Sequence, residues 1–195
     1  MACLITAGRV EPCKDSLAGL KNVYFINQDL QLGSVIFYDP SGTPPFVNTD
    51  NVWYVNFVNS IYKYELKSNE NVYDQEIVSS SENGTTFFRQ TLTIKLKKQD
   101  IATHNAVKTL AYAKPRILVE NNEGQFFLVG MYRGCDLTAG SINNGGALGD
   151  FSGYSLTFQA EELLPSPFVI NGTNSFRVGQ ASTLPLSAAS TIITS

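Results

Sequence analysis

Over residues 88–97 the chain alternates with a period of two. Phe88, Leu92, Ile94 and Leu96 fall on one side, and Arg89, Thr91, Thr93, Lys95 and Lys97 on the other. Only Gln90 interrupts the apolar row. The pattern predicts a strand with one buried face and one wet, basic face, as in an antiparallel sheet. Residues 72–78 should pair with it across Ser79, Ser80, Ser81, Glu82, Asn83 and Gly84, a polar run that reads as a hairpin tip.

Other β signals surround this one. Residues 20–26 (with Val23, Tyr24 and Phe25) and 34–38 read as strands, the second closed by Asp39-Pro40-Ser41-Gly42. Aromatic and β-branched runs follow at 52–58 and 61–66. A second hairpin is predicted from 116–120 and 125–132, with a turn at Asn121-Asn122-Glu123-Gly124. A Gly-rich loop (Gly140, Gly145, Gly146, Gly149, Gly153) then leads to a last strand, where Tyr154, Leu156 and Phe158 share a face. One helix is predicted over 101–112, capped by Gln99-Asp100 and stopped by Pro115, with a packing face at positions 102, 106, 109, 110 and 113. The expected fold is mainly β: an antiparallel β-sandwich or small barrel with one flanking α-helix.

The length of 195 residues suits one large domain, assigned to 1–170. Residues 171–195 carry a single charge, Arg177, and apolar residues (Val178, Leu184, Leu186, Ile192, Ile193) without helical or strict strand period. They read as an extended arm laid on a neighbouring subunit, or as a mobile terminus. Charged residues make up 16% of the chain, against about 25% in ordinary domains. Such a deficit suits a subunit whose surface is covered by partners. A net charge of −3 gives no overall basic field to hold nucleic acid. No run approaches the ~20 apolar residues of a membrane-spanning helix. The first residues carry no signal-peptide pattern, so cytoplasmic synthesis is expected.

Chemistry-bearing motifs are sparse. Cys3, Cys13 and Cys135 are odd in number and form no Cys-x-x-Cys pair, so reduced, buried thiols are expected rather than a disulfide framework or zinc site. Asn83-Gly84-Thr85 and Asn171-Gly172-Thr173 read as turns. The sole histidine, His104, lies in the predicted helix. The sequence leaves a pairing with Cys13 or Cys135 open, but no nucleophile motif surrounds either cysteine. Glu161 and Glu162 should face opposite sides of a strand, poor geometry for acid–base work. Asp136 and Asp150 lack the alternating Asp/Asn loop of a calcium site. The strand cations Arg89, Lys95 and Lys97 can meet phosphates, acidic groups of another subunit, or water. Tyr62, Tyr64, Phe87 and Phe88 would suit a single-strand nucleic-acid platform, a reading that the acidic balance disfavours. No catalytic residue, cofactor or metal is expected.

The second half carries a resemblance. The strand–helix–hairpin ending in Gly124-Gln-Phe-Phe-Leu-Val-Gly130 is followed by Gly146-Ala-Leu-Gly-Asp-Phe-Ser-Gly-Tyr154, a strand, and Glu161-Glu162 before Pro165. Together with the opening Pro12-Cys13-Lys-Asp-Ser-Leu-Ala-Gly-Leu-Lys21, this resembles tail-tube-like virion structural proteins of tailed bacteriophages, including ring proteins of crAss-like phage tails, over roughly residues 10–170. The resemblance implies a non-enzymatic virion subunit, synthesised in the host cytoplasm. It would form a homo-oligomeric ring with other tail or connector proteins, and DNA would be its passing cargo. It also implies inter-subunit contacts at the hairpin tip (Ser79, Ser80, Ser81, Glu82, Asn83, Gly84) and along the C-terminal arm (Leu184, Leu186, Ile192, Ile193). The alternatives are another virion connector or decoration protein, or a carbohydrate-binding β-sandwich using Trp53 and Tyr54 as its platform.

Overall fold

Two kinds of strand are written into this chain, and they sort into two sheets. Strands such as Val23-Tyr24-Phe25-Ile26 and Ile117-Leu118-Val119 are apolar at every position, the signature of a sheet covered on both faces. The alternating strands around Phe88 and Tyr154 belong to a sheet with one wet face. The computed structural model describes residues 16–27, 61–67 and 70–169, with Arg9, Lys14 and the backbone of 33–37, 52–56 and 192–193.

The elements run β1 (Leu20–Ile26), β2 (Gly33–Phe37), β3 (Val52–Asn56), β4 (Ile61–Glu65), β5 (Val72–Ser80), β6 (Thr85–Lys97), α1 (Ile101–Tyr112), β7 (Arg116–Asn121), β8 (Phe126–Val129), β9 (Asp136–Asn143), β10 (Gly153–Glu162), β11 (Phe168–Val169) and β12 (Ile192–Ile193). The larger sheet has the order β12-β4-β1-β7-β8-β11-β3-β2, and the smaller β5-β6-β10-β9. Pairing is antiparallel except at β11–β3 and β12–β4. The fold is thus mainly β, a two-sheet sandwich with one flanking helix, as expected.

One apolar cluster lies between the sheets. Val23, Phe25, Ile117 and Val119 from the larger sheet meet Leu92, Ile94, Tyr154, Leu156 and Phe158 from the smaller. Tyr64 packs edge-on against Phe25 with ring centroids 5.1 Å apart, the T-shaped arrangement that ring quadrupoles favour. A second cluster, with Tyr24, Ile26, Leu118, Phe126, Leu128 and Val169, occupies the far face of the larger sheet. This explains why β1 and β7 carry no polar alternation until Glu120, whose buried carboxylate accepts from Asn22 Nδ2 at 2.7 Å and the Tyr24 hydroxyl at 2.9 Å. That neighbouring carboxylate and burial together push the Tyr24 phenol up, burial being the larger cause.

Helix α1 starts where the sequence places it. Asp100 accepts from Thr103 N at 2.6 Å and from the Thr103 hydroxyl at 2.7 Å, satisfying a donor that the first turn leaves unpaired. Its inward face differs from expectation. Val107 is the buried residue, flanked by half-buried Thr103, Ala106 and Leu110, while Ala102 and Thr109 face solvent. Positions 106, 110 and 113 thus lie on the covered side as read, whereas Val107 was missing from the stripe and 102 and 109 do not belong to it.

The Thr103 hydrogen bonds hold the Asp100 carboxyl below its ordinary value. The charged cap therefore contributes fully above the ordinary carboxylate range and is lost as pH falls through the depressed folded value. The Thr103 amide resonance should titrate below the usual aspartate range in the wild type. It should be flat in Asp100→Asn, which caps without a charge. A Thr103 titration at an ordinary carboxylate pH would refute this account of the cap.

The Gly-rich stretch also departs from expectation. Its first half is strand β9, paired with β10 from Asn143↔Gly153 to Asp136↔Gln159. Mostly exposed Thr, Ser, Gly and Asn side chains disguised it, since an edge strand with little to bury shows no apolar period.

Candidate functional site

The predicted hairpin of β5 and β6 forms, paired from Val72↔Thr93 to Ser80↔Thr85, so Ser79 and Ser80 belong to β5 and the turn is confined to 81–84. Its neighbour β10 ends at Glu162, opposite Phe88. Beyond the Ile77↔Phe88 pair the hairpin therefore continues as two strands only. Three further residue pairs carry it about 10 Å outward before the turn. Ser79, Ser81, Glu82, Asn83 and Gly84 are exposed on this arm and Ser80 is half-buried. Ser79 and Thr86 share a hydroxyl hydrogen bond of 3.0 Å, and Asn83 N donates to Ser80 Oγ at 3.3 Å. Gly84 closes the turn at φ 62°, a conformation cheap only for glycine. Ile77, at the base of the arm, is 66% exposed.

The smaller sheet ends in β5 and β9, and no described strand pairs with the outer side of either. Its solvent face carries Thr91, Thr93, Ser155 and Thr157, with a Thr93–Thr157 hydroxyl contact of 3.3 Å. Two of the three cations on the basic strand are balanced from within the chain. Arg89 meets Glu76 at 3.1 Å and Glu161 at 3.3 Å, and Lys95 pairs with Glu70. Tyr62 remains partly exposed on the other sheet, while Tyr64 is taken up by Phe25 and Arg89 lies over the Phe87 ring. The described aromatics form no continuous platform.

The remaining candidates take ordinary structural places. The backbone of Ile192 and Ile193 pairs with Ile61 and Tyr62 of β4 in the same chain, so this part of the predicted arm serves an edge of its own sheet. Leu184 and Leu186 lie outside the described residues, as do Cys3, Cys13 and the side chains of Trp53 and Tyr54. Cys135 is fully buried, with its N–H donating to Pro115 O at 2.8 Å, and burial pushes its thiol up. A thiol so enclosed and kept protonated is a poor nucleophile. His104 is exposed on α1, its ring centroid 6.3 Å from that of Tyr154.

Glu161 and Glu162 do part company: Glu161 faces solvent, while buried Glu162 accepts from Tyr132 N and Arg133 N at 2.9 Å. Asp136 pairs with Lys114, and Asp150 ties its own loop by accepting from Gly146 N and Ala147 N. Among the described residues, no three His, Cys, Asp or Glu side chains gather as a metal site. No described helix is long and apolar enough to cross a membrane.

Two features escaped the sequence. Gln90 is fully buried, and its Oε1 accepts from Gly130 N at 3.0 Å across the sandwich. Its break in an apolar row was the available signal. The second is a cleft lined by lysines from β4 and β6, about thirty positions apart, which no local pattern announces.

Fold and site together define a mainly β, two-sheet sandwich with a projecting hairpin and a smaller sheet whose outer strands pair with no further described strand. Neither the protein-family models nor the curated proteins gave a match to this chain.

Proposed function

We propose that this protein is a non-enzymatic structural subunit of a bacteriophage virion, forming a homo-oligomeric ring in the tail or tail barrel through which DNA passes. The observation that carries the reading is that neither outer strand of the smaller sheet, β5 or β9, pairs with a further described strand. Three successive antiparallel pairings, β5–β6, β6–β10 and β10–β9, make its two outer strands run in opposite directions. A copy rotated about an axis along the strands then sets its β5 beside the β9 of its neighbour in antiparallel order. Such head-to-tail joints close into rings when the rotation between copies divides a full turn. They also satisfy main-chain groups that would otherwise invite uncontrolled pairing. The projecting 79–84 tip supplies a lever to a neighbouring subunit. Along the hydroxyl-rich face Arg89 is neutralised by two carboxylates and Lys95 by Glu70, which confines its positive charge to the Lys97 end. The resemblance of the sequence to tail-tube-like proteins points the same way.

Negative-stain microscopy and light scattering of the purified full-length chain test this. Closed rings of fixed copy number are expected. Ile77→Lys places a charge at an exposed position on β5, so it should convert rings to monomers while leaving the melting temperature within about 2 °C, since exposed substitutions cost little. A wild-type chain that stays monomeric at every concentration examined would overturn the proposal.

A further inference from the structure

The cleft of about 390 Å³ between the end of β4, the end of β6 and the start of α1 is lined by Lys63, Lys67, Lys95, Lys97 and Lys98. The chain has 14 lysines and arginines in all, so more than a third of its cations surround one recess in an acidic protein. Three carboxylates share the neighbourhood. Glu65 lies 3.6 Å from both Lys63 and Lys67, Glu70 pairs with Lys95, and Asp100 is occupied in capping α1. Five ammonium groups against three carboxylates leave an excess of two positive charges. Lys97 reaches only the Lys67 carbonyl, at 3.5 Å, and neither Lys97 nor Lys98 forms a salt bridge among the described residues. Lys98 is also the one described non-glycine residue at positive φ, 66°. A lysine held there bears a backbone cost that glycine would avoid.

We propose that this cleft binds a compact phosphate-bearing anion, an inorganic oligophosphate or the phosphate group of a small ester. Lysine ammonium groups act as point charges with three donors each, suited to tetrahedral oxyanions. A single carboxylate would bring no more charge than Glu65 and Glu70 already supply. A multiply charged anion would draw in the two unpaired lysines and displace the weak Glu65 contacts. A recess of about 390 Å³ suits a small ligand better than a long backbone. The inference stands independently of ring assembly.

Calorimetric titration of the full-length protein with sodium tripolyphosphate at low salt provides the test. We expect saturable one-site binding that weakens as salt rises. The Lys97→Gln/Lys98→Gln double variant should lose roughly tenfold or more in affinity, in keeping with charged hydrogen bonds. Lys108→Gln, on the exposed side of α1, should bind as the wild type does. Lys98→Gly separates binding from folding: it should keep or raise the melting temperature while weakening binding. Equal affinity in the double variant, absence of tripolyphosphate binding, or binding of a short single-stranded oligonucleotide with tripolyphosphate ignored would each overturn the proposal.

Discussion

Replacing Gly153 with alanine is expected to give one of the largest single-residue losses of stability in the smaller sheet. Gly153 opens β10 at φ 154° and pairs with Lys97. A Cβ at this position would sit 2.0 Å from Leu96 O and 3.1 Å from both Leu96 C and Lys97 Cα. The obstructing atoms are backbone, so no rotamer change relieves the overlap. The β6–β10 ladder must open at this end, and with it the bond from Lys98 N to Ser152 O at 2.9 Å. Losses of this kind exceed about 4 kcal/mol, equivalent to a melting-temperature drop on the order of 10 °C for a chain this size. Gly84 supplies the comparison. It too has positive φ, but a Cβ there meets no atom within 4 Å, so alanine should cost only about 1 kcal/mol of backbone strain. Denaturant melts of the two variants measure the difference; similar losses would refute the steric account.

The second large effect is expected at Gln90. Its side chain is 1% exposed. It joins the sheets by accepting from Gly130 N at 3.0 Å, and Nε2 reaches Leu164 O at 3.5 Å. Gly130 and this hydrogen bond are buried, so water does not readily replace the lost acceptor. Gln90→Ala leaves this N–H buried and unpaired, at a cost of roughly 1–3 kcal/mol. The vacated volume adds a cavity term, for a total of about 3 kcal/mol or more. Gln90→Leu fills the volume but still orphans the N–H, so it should lie between alanine and wild type. The ordering wild type, leucine, alanine in denaturant midpoint is the expected result. Leucine matching wild type would mean that the hydrogen bond contributes nothing net.

Much of the local structure was legible because its cause is local. The alternation over 88–97 fixes which side of β6 is buried, and the polar 79–84 run fixes where the hairpin turns. Asp100 and Pro115 bracket the helix through backbone donors and steric limits that lie within a few residues. Glu161 and Glu162 could be assigned to opposite faces from pleat geometry alone. Of the candidate assembly residues, 81–84 were likewise readable as an exposed turn, whereas Ser79 and Ser80 proved to be the paired end of β5.

The features that were misread or missed depend on distant neighbours. Strand β9 has no apolar period, and it becomes a strand because β10 offers it an unpaired edge. On α1 the sequence placed 106, 110 and 113 on the covered side but missed Val107, which packs with the core cluster together with Leu110. Arg89, Lys95 and Lys97 looked like one basic stripe. Folding brings Glu76, Glu161 and Glu70 to the first two, and gathers the third with lysines from β4. Sequence patterning decided the β class, the hairpin and the helix ends, since these follow from side-chain alternation and short-range hydrogen bonding. Tertiary structure alone decided strand order, the inter-sheet role of Gln90 and the lysine cleft, because each arises where segments remote in sequence exclude water together.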